Sequence, residues 1–295
     1  MTKGIPMTTI IRSLDEISAN YDVLFCDLWG CLHNGVQVYP AAAAALQRFR
    51  AGGGRVVLLT NAPRPAQFVE QQLDRLGAPR DCWDVVVSSG DAAQDAMLAG
   101  VVGRRVWAIA GPKDEGFFQA IPPEWADAPA IECVPLDQAE GIVCTGLFDD
   151  TTEVPDDYRA QLMLARERGL TFLCANPDIV VDLGEQRLYC AGALAQLYED
   201  MGGTALYFGK PHPPIYDLAR RKLGLDQGAR ILAIGDGIGT DVLGGAGEGI
   251  DVLFITGGLA HDQFGPDVEN PRHEMLEEWL RMRESAPEYS IGRLR

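Results

Sequence analysis

Four apolar residues, Val23-Leu24-Phe25-Cys26, run straight into Asp27, and the chain then breaks into a loop carrying Gly30 and Gly35. A strand without polar alternation is apolar on both faces and needs a layer of structure on each side. The same form recurs along the chain, as strands over 55–60, 85–89, 106–110, 141–145, 170–175, 205–208, 230–234 and 251–255. Between them lie stretches of helical character. Pro40 opens a helix whose first half is alanine-rich and which Gly52-Gly53-Gly54 ends. Further helices are expected over 64–76, 91–98 (capped by Asp91), 155–168, 191–201, 213–223 and 241–246, with a short amphipathic one over 10–20 ahead of the first strand. Strand–helix alternation of this kind specifies an α/β fold with a parallel sheet covered on both faces. The texture changes near residue 103, where a proline-rich loop region begins, and returns near 184. This predicts one domain over 1–102 and 185–295 and a second, inserted α/β unit over 103–184. The strand over 251–255 reads as the last one, followed by a helix over 272–283 with Met275, Leu276, Trp279 and Met282 on one face. That stripe suits core packing or a subunit contact in a homo-oligomer.

Bulk properties narrow the function. The chain has 295 residues, enough for two domains, and a formal net charge of -17 with no local basic cluster, which argues against a nucleic-acid partner. No apolar run approaches the roughly 20 residues a membrane span needs. The polar N-terminus lacks the apolar core of a secretory signal, so a cytoplasmic location is expected. The seven cysteines form no CxxC pair, and several sit inside strand-like runs. They read as small buried hydrophobes in a reducing compartment, with zinc ligation the weaker alternative because the spacings fit no common finger.

Four segments run from an apolar stretch into reactive groups: Asp27; Thr60-Asn61; Gly209-Lys210-Pro211; and Gly235-Asp236-Gly237-Ile238-Gly239-Thr240-Asp241. In a parallel sheet such ends point to one edge, where ligands bind. Two carboxylates, Asp27 and Asp236, suit Mg2+, which takes few protein oxygens plus water and phosphate. Thr60 and backbone N–H groups suit phosphate oxygens. Lys210 beside them would supply positive charge and keep Asp27 ionised, and an ionised aspartate can attack phosphorus. Each piece alone has a plainer meaning: an aspartate after a strand is a common turn former, and the glycine loop is spaced GxGxG, not as a dinucleotide fingerprint.

In this order the motifs resemble those of the haloacid dehalogenase superfamily, and specifically its class IIA branch of sugar- and nucleotide-phosphatase-like proteins. Asp27 matches the nucleophile motif, Thr60-Asn61 the second, Lys210 the third, and Asp236 with Asp241 the acidic fourth. Ala175-Asn176-Pro177-Asp178 and Gly192-Ala193 resemble that branch's signature at the return from the insert. The resemblance implies a Rossmann-like parallel-sheet core with an inserted class II cap domain that closes over the pocket. It also implies a small phosphorylated metabolite as substrate and an aspartyl-phosphate on Asp27. Mg2+ would be held by the Asp27 carboxylate, the Trp29 main-chain carbonyl and Asp236, with Asp241 nearby. Asp149 and Asp150 of the insert are expected either to touch substrate or to form a solvated turn.

One position departs from the family pattern. Its phosphatases carry a second aspartate two residues after the nucleophile, which protonates the leaving group and later activates water. Here that residue is Trp29. Loss of a general acid costs ~10²–10⁴-fold in rate. Three readings follow. The chain is a phosphohydrolase with a substitute acid, for which His33 is the candidate, or with leaving groups that need no proton. It is a regulatory protein that binds a phosphorylated ligand without turning it over. Or it cleaves a C–halogen bond, since the dehalogenases themselves carry an aromatic residue here; the Asp236/Asp241 pair argues against that.

Overall fold

The computed structural model of the chain describes residues 8–183, 186–226 and 228–295. The expected boundary at residue 184 and the first seven residues lie outside that range. The strands in chain order are β1 Thr9–Ile10, β2 Val23–Cys26, β3 Arg55–Thr60, β4 Val85–Ser88, β5 Arg105–Ile109, β6 Glu132–Cys133, β7 Gly141–Cys144, β8 Thr171–Cys174, β9 Val180–Leu183, β10 Gln186–Tyr189, β11 Thr204–Tyr207, β12 Ile231–Gly235, β13 Asp251–Ile255 and β14 Tyr289–Ile291.

The chain forms two compact units. The first comprises 1–60, 70–86 and 216–295, and the second 61–69 and 87–215. The first is built on a seven-stranded sheet of order β1-β14-β13-β12-β2-β3-β4, and the pairings of β1, β14, β13, β12, β2 and β3 are parallel. β2 lies centrally, and its four residues are at most 1% exposed. Each large apolar side chain buried there stabilises the fold by ~1.5–3 kcal/mol, which is why this stretch cannot sit at an edge. The Pro40–Ala51 helix starts on its proline and buries Ala42, Ala43, Ala45, Leu46 and Phe49. Its alanines allow close approach while keeping helix propensity high.

The second unit has its own parallel sheet, β11-β8-β7-β5-β6, and an antiparallel β9–β10 hairpin. Its core gathers Ile109, Ile142, Phe172, Leu162, Leu194 and Tyr198. The Tyr198 hydroxyl donates to the Leu170 carbonyl at 2.6 Å, so the buried ring leaves no polar atom unpaired.

Several expectations change. The 10–20 segment is not an amphipathic helix: β1 is followed by two 3₁₀ turns, Leu14–Glu16 and Ser18–Asn20. β13 is not the last strand, because β14 inserts between β1 and β13. The strand at Thr204–Tyr207, expected in the core domain, pairs with β8 in the second unit's sheet. The Ser89–Leu98 helix is capped by Ser88, not Asp91; Asp91 is the third residue of a capping box, accepting from the Ser88 N–H while its own N–H donates to Ser88 Oγ at 2.9 Å. Among the described residues no helix is long and apolar enough to cross a membrane.

Candidate active site

In the first unit, β2 and β12 pair with Cys26 opposite Ile234, and the ladder continues one step further as the Asp27 N–H donates to the Ile234 carbonyl at 2.8 Å. This register brings the ends of the two strands side by side, with Asp27 beside the Gly235-Asp236 corner. Asp27 is half-buried; Asp236 and Asp241 are 6% and 5% exposed. A carboxylate oxygen of Asp27, one of Asp236 and the sulfur of Cys31 all lie within 4.8 Å of one another. Thr60, 4% exposed, ends β3 on the same edge of the sheet.

Glycines make room for this arrangement. A Cβ on Gly30 or on Gly258 would stand 2.0 Å from Asp236 Oδ2, so both strands of backbone wrap the carboxylate closely. Gly30 also sits at φ +73°, where other residues are strained. Asp236 Oδ2 accepts the Leu259 N–H at 2.9 Å. Asp241 stands outside the Asp27–Cys31–Asp236 group. Its Oδ2 accepts from the Gly237 N–H at 3.1 Å and from Thr240 Oγ1 at 3.2 Å, so it shapes the loop that presents Asp236.

The loop after Asp27 is folded on itself. The Gly30 N–H donates to the His33 carbonyl at 2.9 Å, and short bridges link Trp29 to His33 and His33 to Val38. The Trp29 indole is 37% exposed, meets the His33 ring edge-on at 5.3 Å between centroids, and covers Gly35, where a Cβ would lie 2.2 Å from its Cη2. His33 itself is 1% exposed, and its Nδ1 accepts the Gly35 N–H at 3.0 Å, which leaves the proton on Nε2. Burial pushes its pKa down to about 4. At neutral pH it is therefore an uncharged imidazole, packed against Trp29 and bonded to the loop through Gly35.

A stability signature follows. A histidine whose folded pKa lies below its unfolded value destabilises the native state as pH falls, because the unfolded chain takes up the proton first. Between its ordinary value of 6.5 and about 4, wild type should lose roughly 3 kcal/mol from this group. His33→Asn, whose Oδ1 can still accept from Gly35, should not show that loss when urea unfolding of the two proteins is compared at neutral pH and near pH 4.

The second unit holds Asn61 and Lys210 together. Asn61 Oδ1 accepts the Lys210 N–H at 2.7 Å, while its Nδ2 donates to the Lys210 carbonyl at 3.0 Å and to Asp178 Oδ1 at 2.8 Å. Asn61 thus clamps both sides of the Lys210 backbone. Lys210 is 3% exposed. Gly209 is required beside it, since a Cβ there would fall 2.5 Å from Asn61 Oδ1 and 2.6 Å from Pro177 Cδ. Asn176 Oδ1 accepts the Asp178 N–H at 3.0 Å, and a Cβ on Gly192 would lie 2.2 Å from the Pro177 carbonyl, so the Asn176-Pro177-Asp178 turn is packed against the start of the Ala191–Asp200 helix. Asp178 is thus tied to Asn61 and, through Asn176, to that turn. Asp149 forms a local turn, accepting from the Thr151 N–H at 3.0 Å, and Asp150 pairs with Lys113.

Residues 24–121 match the family described as haloacid dehalogenase-like hydrolase, and residues 207–277 match one described as HAD-hydrolase-like. The crystal structure of a haloacid dehalogenase-like hydrolase from Brucella suis 1330 is 40% identical, with a TM-score of 0.81, and the match covers 97% of this chain and 100% of that one. The glycerol-3-phosphate phosphatase of Gallus gallus is 28% identical over 264 residues, 83% of this chain and 82% of the relative. The 5′-nucleotidase YutF of Bacillus subtilis is 32% identical over 121 residues, 40% of this chain and 47% of that protein, so the match spans about half its length. With a 40%-identical relative matched end to end and both family matches falling on the segments that carry Asp27, Lys210 and Asp236, the chain belongs to the haloacid dehalogenase-like hydrolases.

Proposed function

We propose that the chain is a Mg2+-dependent phosphohydrolase of the class IIA kind, acting on a small phosphorylated metabolite through an aspartyl-phosphate on Asp27. The observation that carries this reading is the pairing of β2 with β12, which sets the Asp27 and Asp236 carboxylates side by side at the sheet edge. The relatives named as phosphatases and a nucleotidase support phosphate monoesters as the substrate class.

The donor set fits a hard divalent cation: two carboxylates whose oxygens lie within 4.8 Å. Asp27, Asp236 and the Trp29 carbonyl would hold Mg2+, which supplies charge neutralisation for the phosphoryl oxygens. An Asp27 oxygen attacks phosphorus, and the bond to the leaving oxygen breaks. Water then attacks the same phosphorus and gives up a proton to solvent, the bond to Asp27 breaks, and the carboxylate is regenerated with release of phosphate, while the departed leaving oxygen takes any proton it needs from solvent. Thr60 is assigned to the phosphoryl oxygens. Lys210, fixed through its backbone by Asn61, is assigned to the phosphoryl charge. Asp241 would act through the loop it closes, near Mg2+ rather than as a ligand to it. The second unit is assigned the part of a class II cap, although its compact boundaries, 61–69 and 87–215, differ from the insert expected over 103–184. Trp29 offers no proton, and His33 is held neutral beside it. The preferred substrates should therefore be phosphates whose leaving groups depart without one, such as acyl, anhydride or aryl phosphates.

The test is phosphate release from a panel of phosphate monoesters and acyl phosphates with Mg2+ and with EDTA. Turnover that is metal-dependent and strongest for weakly basic leaving groups is expected. Trp29 favours one other reading, a regulatory protein that binds a phosphorylated ligand. In that case a phosphate analogue would bind with Mg2+ by calorimetry, yet no substrate would be turned over and no acid-stable phosphoryl-enzyme trapped.

A further inference from the structure

Cys31 is the member of the Asp27–Cys31–Asp236 group that the proposed reaction leaves idle. The residue is 1% exposed. A tight turn, with the Leu32 N–H donating to the Leu28 carbonyl at 2.8 Å and Gly30 at positive φ, swings it back toward the two carboxylates. The sulfurs of Cys26, Cys82, Cys144 and Cys174 each find a backbone carbonyl. Among the described residues the Cys31 thiol finds no hydrogen-bond acceptor at all. Burial alone would suit any small hydrophobe; what sets Cys31 apart is that its sulfur lies within 4.8 Å of two carboxylate oxygens. Mg2+, which takes oxygen alone, would use the two carboxylates and leave the sulfur out; the full set of one sulfur and two oxygens offers more. It suits borderline and soft cations, which accept thiolate and carboxylate together in tetrahedral geometry. Donors around such an ion stand roughly 3.5 Å apart, so small side-chain rotations would close the observed triangle.

We propose that Asp27, Cys31 and Asp236 form a binding site for a thiophilic divalent cation such as Cd2+ or Zn2+, held by the Cys31 sulfur and one oxygen from each carboxylate, in competition with Mg2+. The thiol passes its proton to solvent as the metal–sulfur bond forms, one proton per cation, with no change of oxidation state. Arrest of turnover by that cation rests on the phosphohydrolase reading; the site itself does not.

The experiment titrates the full chain with Cd2+, carrying Cys133→Ser to remove the exposed thiol. An ultraviolet thiolate-to-cadmium charge-transfer band that saturates at one equivalent is expected. Cys31→Ser in the same background should lose the band and bind Cd2+ at least ~10-fold more weakly by calorimetry, while its Mg2+ affinity shifts by a smaller factor. Cys31→Ala, equally without sulfur, serves if the serine protein does not fold by circular dichroism. A band that persists without Cys31, or Cd2+ bound by the parent without a band, would overturn the site. A parent that shows the band but releases no phosphate with Mg2+ would instead sink the phosphohydrolase reading and leave the site standing.

Discussion

Asp27→Asn should abolish phosphate release, by on the order of 10⁴-fold or more, because removing a covalent nucleophile removes the path and not one interaction along it. The amide keeps the size and much of the hydrogen-bonding capacity of the carboxylate, and the backbone bond from Asp27 to Ile234 does not depend on the side chain. The variant should therefore fold, with a circular dichroism spectrum and melting curve close to those of the parent. Two further readouts separate loss of chemistry from loss of metal. Mg2+ affinity should fall only as far as one of two carboxylates accounts for, so raising Mg2+ to saturation should not restore turnover. Rapid acid quench of the parent with substrate should trap a single phosphoryl group on the peptide containing Asp27, and the variant should trap none. Activity within tenfold of the parent would remove Asp27 from the chemistry.

What the sequence made legible about this site is what is local. The run Val23 to Cys26 needed burial on both faces, and it lies in the middle of the sheet with Asp27 at its end. The polar ends at Thr60 and Asp236 sit on the same sheet's edge because parallel strands align their ends. Partners far apart in sequence were not legible. β1 is two residues long and exists only because Tyr289–Ile291 lies beside it, some 280 positions on, so local preference read that stretch as a helix. Thr204–Tyr207 carries no mark of which sheet it joins. Cys31 looked like one more small hydrophobe, since only the turn at Leu28–Leu32 reveals that its sulfur meets two carboxylates. The surroundings of His33 were equally hidden: its ordinary pKa lies near neutrality, but burial, invisible in the sequence, shifts it down to about 4.

Trp29→Asp carries the sharpest consequence of that departure. An aspartate two residues beyond the nucleophile could protonate the leaving oxygen, and a positioned acid is worth ~10²–10⁴-fold where the leaving group is strongly basic. Turnover of alkyl phosphates should rise by about that factor, while acyl and aryl phosphates, which depart without a proton, should gain only what the same carboxylate contributes by activating water in the second step. The gain is not free of structural cost. The indole packs against His33 and covers Gly35, so its removal bares both and should lower the melting temperature. Trp29→Asn makes the same gap without an ionisable proton and is the matched control. Equal stability of the two variants, with the alkyl-phosphate gain confined to the aspartate, would tie the gain to proton transfer. A further check lies in pH. The gain should fade as the new carboxyl group loses its proton, whereas parent turnover of aryl phosphates should follow no such limb. If both variants gain equally, Trp29 limits access to the site rather than denying it an acid. If neither gains, the absent acid is not what sets the rate on alkyl phosphates, and the substrate preference argued from Trp29 falls with it.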